Sequence, residues 1–92
     1  MILTFRHKGL EKFYRTGSNA GIIKSHEKRL RLILGRLNAS TCPEDMNLPG
    51  LRLHSLRGQY KSYWAVNVSA NWRIIFRFRN GDSVFVDYLD YH

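Results

Sequence analysis

The change of hydrophobic period at Pro49-Gly50 constrains the fold of this chain more than any other feature. Before this dipeptide, apolar residues recur at intervals of three and four, which is the spacing of one face of an α-helix. After it, apolar and polar residues alternate, which is the pattern of β-strands. Because proline and glycine interrupt regular structure, we predict a boundary here between a helical part and a strand-forming part. Helices grouped before strands are typical of an α+β fold in which the helices cover one face of a sheet.

The N-terminal part is predicted to begin with a strand and a short helix. Residues 1–5 are apolar and β-prone, and they predict a strand. The spacing of Leu10, Phe13 and Tyr14 then predicts a helix. We expect this helix to end at Gly17, because glycine readily adopts the left-handed conformation of a helix C-terminus.

A second, amphipathic helix is predicted over residues 24–38. One face carries leucine and isoleucine side chains, whereas Lys24, Lys28 and Arg31 fall together on another face. These cations either contact a polyanion or form an ordinary solvated face. Glu27, one helical turn before Arg31, fits the second interpretation.

The next segment, Thr41-Cys42-Pro43-Glu44, has the spacing of a capping box and predicts one further helical turn. Beyond Gly50, four alternating segments predict antiparallel strands at residues 51–54, 64–68, 72–79 and 83–89. Asn80-Gly81 between the last two is a strong signal for a two-residue hairpin. Each strand is expected to have one apolar face, and the sheet face away from the helices is expected to carry function or lie exposed.

The third of these strands places Arg73, Arg77 and Arg79 on the side opposite its apolar residues. A guanidinium group is planar, stays protonated and binds phosphate through two parallel hydrogen bonds, so a row of them suits an RNA backbone. The alternative is that some of them pair with Asp82 or Asp87 across the hairpin.

Length and charge limit the class of protein. The 92 residues suffice for one hydrophobic core, and we predict a single domain over residues 1–92. Fifteen Lys and Arg against seven Asp and Glu give a net charge of +8, which favours a nucleic-acid partner over a merely solvated basic surface. Cys42 is the only cysteine, which excludes an internal disulfide and a thiolate zinc cluster. No apolar segment approaches the roughly 20 residues of a membrane span, so we expect a cytoplasmic protein. No cluster of carboxylates or cysteines with metal-ligand spacing surrounds His54 or His92, so we expect no metal or other cofactor.

Two places in the C-terminal part supply a candidate catalytic set. His54 is predicted to face the same side of the sheet as Arg73, and Asp90, Tyr91 and His92 are the final three residues. Each histidine alone is more often structural or exposed than catalytic. Together, however, these groups supply a base for a 2′-hydroxyl proton, a cation for the phosphorane and an acid for the leaving 5′-oxygen. We predict metal-independent RNA cleavage with His54 as base and Tyr91 or His92 as acid.

The C-terminal half resembles the HigB branch of the RelE/ParE toxin superfamily. The resemblance rests on the motif L-H-x-L-[KR]-G, the strand A-N-W-R-I, the N-G-D hairpin and the terminal D-Y-H. It implies a RelE-like fold and the toxin of a type II toxin-antitoxin system. It also implies a ribosome-dependent mRNA interferase, an endonuclease that stops translation by cutting mRNA in the ribosomal A site. The implied partners are the ribosome, through its 16S rRNA, and a cognate helix-turn-helix antitoxin of the HigA type. The free toxin is expected to be a monomer that forms a hetero-oligomer with this antitoxin.

The resemblance and the charge pattern together predict roles for individual residues, and the resemblance itself covers His54, Arg57, Arg73 and residues 90–92. The implied catalytic residues are His54, Arg73, Asp90, Tyr91 and His92. The residues predicted to bind RNA phosphate are Arg57, Arg77 and Lys61. The residues predicted to contact the ribosome are Lys24, Lys28 and Arg31. Relatives often carry a basic residue where this chain has Ser69, which would weaken phosphate binding unless Arg77 substitutes for it.

Two other functions fit parts of the sequence. A ParE-like toxin would bind DNA gyrase without performing chemistry, but it would not need the acid/base set at His54 and the C-terminus. A plain RNA-binding module would need only the basic helix. A translation assay against a supercoiling assay separates the first alternative, and mapping of mRNA ends separates the second.

Overall fold

The structure, a computed structural model, describes residues 1–91. Its helices and strands are α1 (Lys8–Thr16), α2 (Glu27–Ala39), β1 (His54–Ser55), β2 (Trp64–Ser69), β3 (Trp72–Arg79) and β4 (Asp82–Asp90). Short 3₁₀ turns lie at Lys24–His26, Pro43–Met46 and Gly58–Tyr60. The strands form one antiparallel sheet in the order β1-β2-β3-β4. The α+β prediction is confirmed, with two helices before a four-stranded sheet.

The two helices begin and end where local chemistry allows. His7 caps the start of α1, because its Nδ1 accepts a hydrogen bond from the Leu10 N–H at 2.9 Å. Gly17 ends α1 in the left-handed conformation (φ 82°), and its N–H donates to the Phe13 carbonyl, as the sequence predicts. The predicted second helix is divided: a separate 3₁₀ turn precedes α2, and the ring of His26 in that turn contacts the Tyr88 hydroxyl at 2.6 Å. Among the helices within residues 1–91, none has the length and apolar character that a bilayer span requires.

The main core lies between the helices and one face of the sheet. Leu30, Ile33 and Leu37 of α2 pack there against strand residues such as Ile74 and Phe76, all of them fully buried. Burial of these side chains is the main free-energy contribution that joins the two parts of the chain.

A second apolar cluster covers part of the opposite face. Its buried members are Leu56, Tyr63, Ala65 and Ile75, and Tyr60, Phe85, Leu89 and Tyr91 pack against them. The prediction that each strand has a single apolar face is therefore wrong for β2 and β3. The physical reason is that the segment between β1 and β2 folds back over the sheet, where the Leu56 N–H donates to the Tyr63 carbonyl at 3.0 Å.

The N-terminal segment forms two separate parallel bridges beside β4, at Ile2–Ser83 and Phe5–Val86, in place of the continuous strand that was predicted. Between these bridges β4 bulges at Phe85, which has a φ of 55°. The Phe85 N–H that the bulge removes from the ladder donates to Thr4 Oγ1 at 2.8 Å.

Two local predictions before β2 are wrong. The predicted strand at residues 51–54 is reduced to His54–Ser55, because Arg52 adopts a left-handed conformation (φ 55°) that interrupts alternation. The predicted capping box does not form, because the N-cap of the 3₁₀ turn is Cys42 and has no side-chain cap; Thr41 instead donates from its N–H and hydroxyl to Asp45 Oδ2 at 3.0 and 3.3 Å. The hydrogen bond from the Thr41 backbone is the largest cause that lowers the pKa of the Asp45 carboxyl.

Candidate active site

An open cleft of about 480 Å³ lies on the sheet face away from the helices. It is lined by Arg52, Leu53, His54, Asn67 and Arg73. His54 pairs with Ala65 in the sheet and Asn67 pairs with Arg73, so strand alternation brings these side chains to one face. The predicted common face of His54 and Arg73 is confirmed.

The imidazole of His54 is oriented by its own loop. Its Nδ1 lies 2.7 Å from the Arg52 carbonyl oxygen. A carbonyl oxygen only accepts hydrogen bonds, so Nδ1 carries a proton and Nε2 keeps the lone pair in the neutral ring. This tautomer is competent to accept a proton at Nε2. The left-handed backbone of Arg52 belongs to the same turn.

The guanidinium of Arg73 is held by the hairpin that joins β2 to β3. Its Nη1 donates to the carbonyls of Ala70 at 2.7 Å and Trp72 at 3.1 Å. Its Nε is buried and has no hydrogen-bond partner within the described part of the chain. Because a guanidinium has five N–H donors, further donors remain for an anion in the cleft.

The ionisable side chains that line the cleft are all basic. Arg52 and Arg73 contribute guanidiniums and His54 an imidazole, and the residues that line the cleft include no carboxylate. Such a surface attracts anions. Within residues 1–91, no group of three or more His, Cys, Asp and Glu side chains has the arrangement of a metal site.

Three cleft residues, Arg52, Leu53 and Asn67, were not predicted as site residues, and two of them are polar. The signal for Arg52 was present in the sequence, since it precedes His54 by two positions and shares its alternation phase. Asn67 shares the phase of Ala65, but an uncharged amide in a strand carries no signal by itself.

Arg29 of α2 binds the backbone of two segments that form the cleft, and it was not predicted as a site residue. Its Nη2 donates to the Gly50 carbonyl at 2.6 Å and to the Asn67 carbonyl at 3.3 Å. The Asn67 N–H in turn donates to the Leu51 carbonyl at 2.7 Å. These bonds connect three elements: helix α2, strand β2 and the loop that precedes β1. Nothing in the sequence indicates them, because the partners are backbone carbonyls at positions distant in the chain.

Asp90 and Tyr91 do not line the cleft. Asp90 is exposed and pairs with Trp72 at the end of the sheet. The Tyr91 N–H donates to the Asn71 carbonyl at 2.8 Å, and its ring packs edge-on against Tyr60 with centroids 6.0 Å apart. His92, the other predicted catalytic residue here, lies outside the described residues.

The predicted phosphate-binding residues are spread beyond the cleft. Arg57 and Lys61 are exposed on either side of the Gly58–Tyr60 turn. The Arg77 guanidinium lies 5.8 Å from the ring centroids of both Tyr63 and Phe85. Arg77 lies four positions after Arg73 along β3, which is about 13 Å at the rise of a strand. This distance is too long for Arg77 to substitute for a basic side chain at position 69.

The alternative in which Arg79 pairs with Asp82 or Asp87 across the hairpin is not seen within residues 1–91. Arg79 and Asp82 face each other in the sheet, but within residues 1–91 the Asp82 carboxylate pairs with the ammonium of Met1 at 3.3 Å. The Arg79 guanidinium lies 5.6 Å from the Phe85 ring centroid.

The predicted ribosome-contacting residues lie on the helix side of the molecule. Lys24 belongs to the 3₁₀ turn before α2, and Lys28 and Arg31 lie in α2 itself. All three are exposed. The Arg31 guanidinium lies 5.3 Å from the Phe13 ring centroid, where a cation is attracted by the ring.

Comparisons with known proteins agree with this architecture. The family model described as "RelE-like toxin of type II toxin-antitoxin system HigB" matches residues 3–92. The chain is 37% identical over 92 residues to "Endoribonuclease HigB" of Proteus vulgaris, with all of both chains covered. It is 33% identical over 94 residues to "Toxin HigB-1" of Vibrio cholerae serotype O1, with all of this chain and 98% of the relative covered. The chain therefore belongs to the HigB family of RelE-like toxins of type II toxin-antitoxin systems.

Proposed function

We propose that this toxin is a ribosome-dependent endoribonuclease that cuts mRNA in the ribosomal A site by metal-independent acid/base chemistry. The observation that carries the proposal is the tautomer of His54, whose Nδ1–H is fixed on the Arg52 carbonyl in a cleft that also contains Arg73. A base oriented in this way beside two guanidiniums suits attack on a phosphodiester. Membership of a family with a relative named endoribonuclease supports the same reaction.

The proposed reaction needs a base, a stabilising positive charge and an acid. His54 Nε2 accepts the proton of a 2′-hydroxyl, and the 2′-oxygen attacks the adjacent phosphorus. The bond from phosphorus to the 5′-oxygen breaks, which leaves a 2′,3′-cyclic phosphate on one fragment and a 5′-hydroxyl on the other. Arg73 and Arg52 stabilise the negative charge that grows on the phosphate oxygens. Tyr91 or His92 donates the proton to the leaving oxygen, and Asp90 accompanies them at the C-terminus.

The surface charge supports the proposed partners. The net charge of +8 fits binding to ribosomal RNA, with Lys24, Lys28 and Arg31 contacting 16S rRNA while the cleft holds the message. Arg57, Lys61 and Arg77 extend the positive surface around the cleft. An antitoxin with a helix-turn-helix domain would form a hetero-oligomer with the otherwise monomeric toxin. Because ribosomes are the target, the toxin acts in the cytoplasm.

Mapping mRNA ends after incubation with translating ribosomes tests this function. We expect cuts within the A-site codon. Because the chemical step should need no divalent metal, the upstream fragment should carry a 2′,3′-cyclic phosphate. A His54→Ala variant is the control for contaminating nuclease. A 5′-phosphate on the downstream fragment would show hydrolysis by another mechanism. Intact message together with inhibited DNA supercoiling would favour the gyrase-binding alternative.

A further inference from the structure

Asn67 and Arg73 face each other across β2 and β3, and both line the cleft. In an antiparallel pair, side chains that lie directly opposite have Cβ atoms about 5 Å apart, within reach of one another. The register shifts immediately after Asn67, so this is the last regular pair before the hairpin. The Asn67 backbone is fixed through its N–H by the Leu51 carbonyl and through its carbonyl by Arg29.

Each of these two side chains has one buried polar atom without a partner. Asn67 Oδ1, an acceptor, and Arg73 Nε, a donor, are both buried and form no hydrogen bond within residues 1–91. Buried polar groups are almost always hydrogen-bonded, and those that are not require an explanation. Here the two atoms are chemically complementary and belong to facing residues.

The orientation of the Arg73 guanidinium explains why they do not meet. Its Nη1 is bonded to the Ala70 and Trp72 carbonyls, which turns the group towards the hairpin. Leaving these neutral carbonyls requires a stronger acceptor. A phosphate in the cleft is such an acceptor, because it receives charge-assisted, paired hydrogen bonds from a guanidinium.

We propose that Asn67 is the positioning residue for Arg73. When a phosphate enters the cleft, the Arg73 guanidinium leaves the hairpin carbonyls, its Nε–H donates to Asn67 Oδ1, and its Nη groups bind the phosphate. The free toxin therefore holds Arg73 in a resting orientation, and Asn67 defines the working one. The identity of the phosphate as RNA rests on the proposed function, whereas the pairing of the two side chains does not.

The first test compares Asn67→Leu with Asn67→Asp in cleavage on ribosomes that carry a defined A-site codon. Asn67→Leu has nearly the same size but no acceptor, and we expect the rate at saturating toxin to fall about 10-fold, as for loss of an orienting contact. The half-saturating toxin concentration should change less than about 2-fold, since Asn67 does not itself dock the ribosome. Asn67→Asp keeps Oδ1 and should recover most of the saturated rate. Thermal stability should be unchanged or higher in Asn67→Leu, because an unsatisfied acceptor is removed. An unchanged saturated rate, or a loss explained by a lower Tm, overturns the proposal.

A double-mutant cycle with Arg73→Lys separates positioning from an independent role. Lysine has no Nε–H, so Asn67→Leu should cause no further loss in the Arg73→Lys background. If the two losses are additive, the residues act separately and the proposal is wrong.

A measurement without cleavage keeps the proposal distinct from the proposed function. We expect inorganic phosphate to slow hydrogen exchange of the Arg73 Nε–H, followed by ¹⁵N NMR, in the native toxin and in Asn67→Asp but not in Asn67→Leu. Equal exchange in all three proteins contradicts the positioning role. Slowed exchange in a toxin that fails to cut mRNA would instead retain the positioning role and reject the proposed function.

Discussion

Arginine side chains in residues 1–91 are held mainly by backbone carbonyls and aromatic rings. Arg29 and Arg73 donate to carbonyls, whereas Arg31 and Arg77 lie over rings. These contacts fix a guanidinium without neutralising it, unlike an ion pair with a carboxylate. The molecule consequently keeps its positive charge available for an anionic partner.

Arg73→Ala tests the catalytic role of the cleft at the level of one residue. Because charge on the phosphate oxygens increases towards the transition state, we expect cleavage to fall about 10²- to 10³-fold, with a smaller effect on ribosome binding. Arg73→Lys should recover only part of this activity, since lysine keeps the charge and loses the paired donors. The rate constant and ribosome affinity are measured separately, and circular dichroism checks folding. Full activity with normal ribosome occupancy would make Arg73 a structural residue.

Asp45 makes stability depend on pH at the turn after α2. Its folded-state pKa lies below the usual 3.8, mainly because the Thr41 N–H stabilises the carboxylate. The depressed pKa contributes stability that is present above the unfolded-state value and is lost as pH falls through the folded-state value. Asp45→Asn should therefore be less stable than the native toxin in urea at pH 7, and the difference should shrink as the pH falls below 3.8. A stability difference that does not change with pH would refute this explanation.

At the level of elements, α2 and the cleft are coupled by Arg29. Arg29→Met keeps an apolar stem but removes the bonds to the Gly50 and Asn67 carbonyls. We expect a loss of about 1 kcal/mol in the free energy of unfolding, measured in urea, because two carbonyls, one exposed and one partly buried, lose a charged hydrogen-bond donor. Cleavage should also slow, because the loop that carries Arg52 loses its tie to the helix. The control is Lys12→Met, an exposed cation of α1 that should change neither quantity measurably.

Local sequence patterns predict the long strands but not the irregularity within them. Alternation and the Asn80-Gly81 signal predict β3 and β4 and the hairpin between them nearly to the residue. They do not predict the bulge at Phe85, which depends on a hydroxyl from Thr4, more than 80 positions earlier. A pattern that describes one strand contains no information about what pairs with its edge.

At the level of the whole molecule, positive charge lies on both sides of the sheet. The cleft occupies one side, and Lys24, Lys28 and Arg31 lie on the other. The ribosome, the proposed target, would present RNA phosphate to both of these surfaces. Docking and cleavage should therefore be separable by mutation.

Charge reversal of the helix side tests this separation. Changing Lys24, Lys28 and Arg31 to Glu should weaken ribosome binding and reduce its dependence on salt, because fewer condensed counterions are released. The cleavage rate at saturation should change little. The control is the same reversal at three other exposed cations, namely Lys8, Lys12 and Arg36. Equal effects of the two sets would show that net charge alone matters, and unchanged affinity would assign the helix face to solubility.

Features that depend on neighbouring residues follow from the sequence alone. They are the order of the elements, the end of α1 at Gly17, and the alternation within each strand that gives His54 and Arg73 a common face. The motifs also establish the family. Only the tertiary structure decides the rest. The left-handed turn at Arg52 aims its carbonyl at His54. Contacts between distant segments supply the bonds from Arg29 to the cleft and the layer of residues 56–63 over the sheet. These features consist largely of backbone carbonyls and buried amides, groups that every chain contains. They acquire a role only when folding brings them to particular side chains. A pattern of residue types therefore cannot predict them.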